Sequence, residues 1–353
     1  MSKAGRDTTI PPTWSMERYS RQIPLKGIGT VGQRKLHDAR VAVVGLGGLG
    51  SISALQLAGM GVGFLRLVDR DVVELTNLHR QALYDMSSLG YPKVEIAERR
   101  LKAINPDLIT DPIALTVNSK TAEDIVRGVD IVIDGLDRLE PRYSLNAACL
   151  SRKVPYIFGS ALESYGSAST IIPGKTACLE CMLGRIDDDN MPTCEVVGVF
   201  PQILSVIASI QVKEALNLIL GQDPVLSNKL LFADIDSMDF QLFHVVRTPN
   251  CGACGTFRTM TTHKPSQVVQ LCGKGSFSIS TNSILSLDLE EVGRVLSTRF
   301  EIGMRTGFAV TVAYTDRISA VLMKTGNMLV HGAKDKEEAL KVYEDVLGCI
   351  GDC

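Results

Sequence analysis

The sequence predicts an α/β fold: a doubly wound sheet, mainly parallel in its first half and antiparallel in its second, with a small C-terminal α+β domain. Three observations carry that prediction. Residues 41–71 pass from a short β-branched run through a glycine-rich turn and a helix-length segment to a second apolar run ending in acid, the order of an opening βαβ unit. From residue 154 onward, apolar runs include a pair at hairpin spacing, which predicts an antiparallel extension. After a polar break at residues 259–265, short strand-like and helix-like runs alternate to the C-terminus.

At 353 residues the chain exceeds one average domain. The expected division is a disordered tail at 1–15, a main domain at 16–260 and an accessory domain at 265–353. The formal net charge of −2 supplies no basic field for nucleic acid or an anionic membrane surface. The N-terminal residues lack the apolar segment of a secretory signal. The longest apolar stretch, 196–220, is interrupted by Pro201, Gln202, Gln211, Lys213, Glu214 and Asn217, so it predicts a buried helix and no membrane span. A cytoplasmic protein is expected. Nine cysteines then suit metal ligation, nucleophilic chemistry or packing better than disulfides.

Taken in order, Arg18 to Ile23 and the Gly, Lys and Arg residues up to Arg40 fit either a solvated surface or a phosphate neighbour. Residues 41–44 form the first buried strand. Gly45, Gly47 and Gly50 then match G-x-G-x-x-G, which lets the chain turn tightly, brings backbone N–H groups to phosphate and aims a helix N-terminus at the anion. Asp69 closes the second strand nineteen residues after Gly50, about where an acid can hold ribose hydroxyls. NAD, FAD and ATP fit this block equally, which defines a Rossmann-like nucleotide unit.

The polar connection that follows carries Asp71, Asn77, His79, Arg80 and Gln81. Pro92 suits a first helical position, and Val94, Ala97, Leu101 and Ile104 share one face, so a helix is expected over 92–104, stopped by Asn105-Pro106. Lys93 stands at that helix's N-terminus, where the dipole disfavours a cation unless an anion accompanies it. Strands are expected at 109–117 and 130–134, with a short helix at 122–127 between them. The second strand runs into Gly135-Leu136-Asp137, which puts Asp137 beyond a strand's carboxyl end, where a metal–phosphate group would lie. Further strands are expected at 154–159, 166–172, 229–234 and 240–246, and a long helix at 199–220.

Cys178-Leu-Glu-Cys181 and Cys251-Gly-Ala-Cys254 are two C-x-x-C pairs. Each offers two thiolates from one tight turn, and two such pairs meeting in space make the tetrahedral sulfur set of a structural Zn²⁺ site. Cys194 differs, lying in a polar loop just before the long helix. A helix N-terminus would lower its thiol pKa, so it is a candidate nucleophile as well as an ordinary exposed thiol.

The ordered set Arg18-Tyr19-x-Arg21-Gln22, Gly45-x-Gly47-Gly48-Leu49-Gly50, Asp69-x-Asp71, Asn77-Leu78-x-Arg80-Gln81, Pro92-Lys93-Val94, both C-x-x-C pairs and Thr193-Cys194 resembles the MoeB/ThiF/HesA family of the ubiquitin-activating-enzyme superfamily over roughly residues 16–258. The resemblance implies an adenylyltransferase that uses ATP and Mg²⁺ to activate the C-terminal glycine of a ubiquitin-like or sulfur-carrier protein ending in Gly-Gly, working as a homodimer. It implies that the glycine loop, Asp69, Asp71, Asn77 and Gln81 belong to the nucleotide site, with Asp69 on the ribose. It further implies that Arg80 and Lys93 hold phosphates, Asp137 binds Mg²⁺ and Arg21 reaches the partner subunit's site. The adenylate could pass to Cys194 as a thioester, with a downstream acceptor protein, or to an external sulfur donor in a molybdopterin, thiamine or thiolation pathway. An NAD-dependent oxidoreductase and a non-catalytic β-grasp-binding protein are the readings from other classes.

Two departures from the family pattern stand out. Leu136-Asp137-Arg138 replaces the usual Thr-Asp-Asn, and residues 264–353 look like neither a chain end nor a rhodanese domain. In this last region strands are expected near 277–287, 309–314, 318–324 and 328–331, with helices at 290–296 and 336–347. Nine basic residues against eleven acidic ones at 265–353 argue for protein docking over duplex binding.

Overall fold

The computed structural model describes residues 16–186, 197–255, 268–270, 275–281 and 285–350. The expected tail at 1–15, the break at 259–265 and Cys194 lie outside the described residues. A helix α1 (Gly29–Asp38) precedes the first sheet, whose strands are β1 (Arg40–Val44), β2 (Phe64–Asp69), β3 (Ile109–Ala114), β4 (Ile131–Asp134), β5 (Tyr156–Leu162), β6 (Tyr165–Ile171), β7 (Lys229–Asp234) and β8 (Asp239–His244). They lie in the order β3-β2-β1-β4-β5-β6-β7-β8. Pairing is parallel from β3 to β5 and antiparallel from β5 to β8, as the change of sequence pattern at residue 154 predicts.

Helices α2 (Gly48–Met60), α3 (Lys93–Ile104), α4 (Ala122–Val126) and α5 (Leu139–Arg152) make the crossovers between the parallel strands. β1, β2 and β4 are mainly apolar without alternation because both faces are covered, whereas edge strand β3 carries Thr110, Asp111 and Pro112 and is only partly buried. A short α6 (Leu179–Leu183) carries the first C-x-x-C pair, and α7 (Pro201–Leu220) packs on α2, β5 and β6. By length and composition α7 could cross a membrane, but its polar residues are used inside the fold. Glu214 accepts bonds from Thr170 Oγ1 and the Val225 and Leu226 amides, and Gln211 donates to the carbonyls of Asp134 and Ile157. It is a core helix.

The turn between β1 and α2 requires its glycines. Gly45 has φ +87°, and a Cβ there would lie 2.5 Å from the Gly135 carbonyl carbon. A Cβ on Gly50 would come within 1.7 Å of Gly45 O. The loop, the start of α2 and the end of β4 thus meet backbone to backbone.

A second sheet, in the order β11-β12-β13-β14-β10-β9, is antiparallel throughout. Its strands are β9 (Val268–Gln270), β10 (Ser276–Ile279), β11 (Glu301–Arg305), β12 (Ala309–Ala313), β13 (Ser319–Met323) and β14 (Met328–His331). Two helices, α8 (Leu289–Leu296) and α9 (Lys336–Ile350), cover one face, where Phe277, Ile279, Val310, Val312, Ala320, Leu322, Met328 and Val330 are buried. The alternate residues Ala309, Val321, Met323 and Leu329 point the other way and join the apolar cluster of the first sheet that contains Leu67, Val72, Val73 and Ala114. The strand period of two therefore buries both faces of this small sheet. Thr325 Oγ1 donates to Ala114 O at the seam.

Candidate active site

The carboxyl ends of β1, β2, β3, β4 and β5 open into a cleft of ≈ 440 Å³, where an open α/β sheet binds its ligand. Gly45, Gly47 and Gly48 form its floor, with Asp69, Asp71, Asn77, Arg80, Gln81, Lys93 and Asp137 around them. Residues from five separate stretches of the chain are thus brought together. Gly50 lies just behind, at the close approach of α2 to β4. Arg21 is exposed and is not part of its own chain's cleft.

The charges are arranged around Lys93. Its ammonium lies 3.3 Å from Asp71 Oδ2, and its side chain is only 7% exposed. Burial alone would push the lysine pKa down, but Asp71 and Asp69 outweigh it and hold the lysine above its usual value. The anion demanded by a lysine at the N-terminus of α3 is therefore Asp71 in the free protein. Burial also raises the Asp69 carboxyl, with the neighbouring Asp71 adding to that effect against the pull of Lys93. At Asp71 burial acts in the same upward direction, yet Lys93 and Arg70 reverse it and leave the carboxyl below its ordinary value.

Asp69 accepts from the Leu46 amide at 2.7 Å and from the Asp71 amide at 2.8 Å. It fastens the glycine loop to β2, and its remaining lone pairs stay available for ribose hydroxyls. Tyr84 donates to Leu46 O from the other side. Arg80 donates to Thr76 O, which aims its guanidinium along the cleft wall. Asn77 caps the short turn by accepting from the Glu74 amide. Gln81 Oε1 and Asp71 Oδ1 are buried without a hydrogen-bond partner, and nothing but Gln81 Nε2 lies within 4 Å of where a Cβ on Gly47 would be. Asp71 Oδ1 has only Arg70 Nε at 3.5 Å; acceptors left open for nucleoside hydroxyls, beside a bare glycine loop and a cation for phosphates, fit a bound nucleoside triphosphate.

Beneath Asp137 lies a polar network that no local motif announces. Asp134, fully buried at the end of β4, pairs with Arg142 Nε at 3.0 Å and accepts from the Tyr156 hydroxyl at 2.7 Å. Arg142 donates to the carbonyls of Leu136 and Gly159, and Gln211 holds Asp134 O. These residues fix the loop that presents Asp137 and Arg138. A charged residue on the inward face of α5 is the one sequence signal that points to Arg142.

The two C-x-x-C pairs meet away from the cleft. Sγ–Sγ separations are 3.8 Å for Cys178–Cys181, 3.6 Å for Cys178–Cys251 and 3.4 Å for Cys181–Cys254, and all four sulfurs lie within 4.8 Å of one another. A tetrahedral ion with Zn–S bonds of about 2.3 Å requires sulfur spacings of about 3.8 Å. The cluster therefore fits Zn²⁺, clipping α6 to the turn that follows β8.

Residues 19–255 match the ThiF family, which spans the glycine loop, Asp69, Lys93, Asp137 and both cysteine pairs. The chain belongs to the ThiF family. Among its relatives, the sulfur carrier protein ThiS adenylyltransferase of Bacillus subtilis (strain 168) is 32% identical over 340 residues, covering 94% of this chain and 99% of the relative. The similarity to this ThiF family member thus extends through the C-terminal sheet. The molybdopterin-synthase adenylyltransferase of Escherichia coli (strain K12) is 37% identical over 242 residues, 68% of this chain and 96% of the relative. The crystal structure of E. coli MccB with ATP superposes with a TM-score of 0.57 at 26% identity, covering 64% of this chain and 69% of that chain.

Proposed function

We propose that this protein adenylates the C-terminal glycine carboxylate of a ubiquitin-like sulfur carrier with ATP. The observation that carries the reading is the single cleft in which a glycine loop, a strand-end acid and a carboxylate-held buried lysine face Arg80 and Asp137. A carboxylate is a poor acyl donor, so its oxygen attacks the α-phosphorus; the α–β bridging bond breaks, and pyrophosphate leaves with the electron pair. Lys93 and Arg80 stabilise the negative charge that grows on the phosphates, and Asp69 holds the ribose. Asp137 would hold Mg²⁺, which when bound supplies further charge neutralisation. The relatives at 32% and 37% identity are adenylyltransferases, which favours this reading over a nicotinamide oxidoreductase.

The protein partner has a surface to dock on. Phe240, Leu242 and Phe243 are exposed on edge strand β8, and Tyr165 stacks on Phe232 with ring centroids 5.7 Å apart. Exposed apolar surface at an unpaired sheet edge is what a bound protein covers. Tyr165 begins the strand that pairs with β5, and Ser160 and Ala161 of β5 line the cleft. A carrier seated on β6–β8 can therefore lead its tail along β5 to the nucleotide. The test is ATP–pyrophosphate exchange that depends on a carrier ending in Gly-Gly. No exchange with any carrier from the source genome would sink the reading.

The homodimer belongs to this proposal, with Arg21 acting across the interface. Mixing Arg21→Ala with Lys93→Ala subunits is then expected to restore up to about a quarter of wild-type activity, since one site of each mixed dimer keeps both residues. Two inactive variants that stay inactive on mixing would place Arg21 in its own chain's chemistry or in structure alone. For the fate of the adenylate, we propose that the Cys194 thiolate attacks the acyl carbon, forming the C–S bond as AMP leaves. A DTT-labile carrier conjugate on a non-reducing gel is expected from the wild type and not from Cys194→Ala, with pyrophosphate exchange kept in both. A conjugate that survives the substitution would remove Cys194 from the reaction.

A further inference from the structure

The cleft is not walled by the first sheet alone. Leu329 and His331 of β14 and Gln270 of β9 line it, facing Asp71, Glu74 and the residues Leu115, Thr116 and Val117 beyond β3. Leu329 and His331 are two apart on one strand and share the inner face of the small sheet. Ser276 lies opposite His331 and Ser278 opposite Leu329 in the β10–β14 ladder. The Ser276 hydroxyl sits 3.1 Å from His331 Nδ1, and Ser278 Oγ sits 3.5 Å from Thr116 Oγ1 of the first sheet. Nε2 of His331 makes no hydrogen bond to any described residue. The imidazole is therefore oriented from behind, with one ring nitrogen engaged and the other free for the cleft.

We propose that the C-terminal sheet is the wall against which the base and ribose of ATP lie, and that His331 is a nucleotide-contacting residue held in position by Ser276. The proposal rests on the reading of the cleft as an ATP site. Strand order decides which half of the nucleotide meets this wall. The glycine loop follows β1 and Asp69 ends β2, so continuing away from the loop leads past the ribose to the end of β3. That is where Leu115, Thr116 and Val117 meet the small sheet. Charge agrees with this placement. Burial pushes the His331 pKa below its usual value despite nearby Glu74 and Asp71, which favours the uncharged ring. An uncharged ring brings no positive charge to a phosphate, whereas it can exchange one hydrogen bond with a ribose hydroxyl or a base edge.

The experiment uses the full-length chain and titrates ATP, AMP and tripolyphosphate calorimetrically into wild type, His331→Ala and His331→Gln. Loss of one neutral hydrogen bond is expected to weaken ATP and AMP binding about three- to tenfold in His331→Ala. Tripolyphosphate binding should stay at the wild-type value, and His331→Gln should recover part of the loss. In pyrophosphate exchange KM for ATP should rise while kcat stays within about twofold. Unchanged AMP affinity in a folded His331→Ala protein, or an equal fall in tripolyphosphate affinity, would overturn the proposal. Wild type that fails to bind ATP at all would instead overturn the reading of the cleft itself. If His331→Ala does not fold, Ser276→Ala, which frees the ring from its tether, is expected to raise the AMP Kd by a smaller factor, and an unchanged Kd there would count against it.

Discussion

Replacing Lys93 with alanine is expected to lower carrier-dependent ATP–pyrophosphate exchange by about 10²- to 10³-fold, the range seen when one preorganised donor to a charged transition state is deleted. The buried ammonium is held in place by Asp71 at 3.3 Å, so it reaches a developing charge without reorganisation. Deletion also leaves Asp69 and Asp71 facing the incoming phosphates without their counter-cation, so KM for ATP should rise as kcat falls. Asp71 is 36% exposed and keeps Arg70 Nε at 3.5 Å, so loss of the ion pair is expected to cost stability of only about 1 kcal/mol, and the melting temperature of the variant should drop slightly. Exchange is therefore measured well below that temperature, with the folded fraction determined by circular dichroism. A folded variant that retains more than about a tenth of wild-type exchange would overturn the role assigned to Lys93.

The second large effect concerns the sulfur cluster. Cys178→Ser, or exhaustive chelation, is expected to release about one zinc per chain and to destabilise the protein by several kcal/mol, since the binding free energy of a structural Zn²⁺ is folding free energy. Without the ion, four sulfurs packed within 4.8 Å lose what ties α6 to the turn after β8. Burial pushes the Cys178 thiol up, while hydrogen bonds, led by the Thr248 amide, bring Cys181 down to about 7 against its own burial. Thiols as unequal in acidity as Cys178 and Cys181 become thiolates together only with a cation between them. Exchange per folded molecule should change little, because the cysteines are not among the residues lining the cleft. Protein purified without chelators and free of zinc by metal analysis, or a Cys178→Ser chain that melts like wild type, would remove the ion from the account.

What was legible in the sequence follows from the range over which each signal acts. The βαβ opening, the crossover helix α3 and the hairpin of β7 and β8 are written in local periodicity, and the structure places them within about two residues of expectation. Strands that pack on one side only, or lie at an edge, gave weaker patterns. β11 is exposed at alternate positions and β9 is three residues long, and neither stood out. α1 was hidden by Gly29 and Gly32, and α5 by the polar residues of its buried network. The site divides in the same way. Lys93, Arg80 and Asp137 come from motifs, whereas Asp134 with Arg142 and Tyr156, and His331 with Ser276, arise from pairings between distant segments. No local spacing encodes such a pairing. Cys194 falls outside the described residues.

The small sheet that buries both of its faces has a consequence for how the chain falls apart. Val321, Met323 and Leu329 share one apolar cluster with Leu67 and Val73, so peeling the C-terminal strands away strips solvent protection from the edge of the nucleotide sheet. The two sheets are then expected to open as a single cooperative unit, with amide protons on β3 and β13 exchanging at a common rate. Occupancy of the cleft by ATP slows both together, because a ligand touching two sheets adds its binding free energy to the same opening reaction.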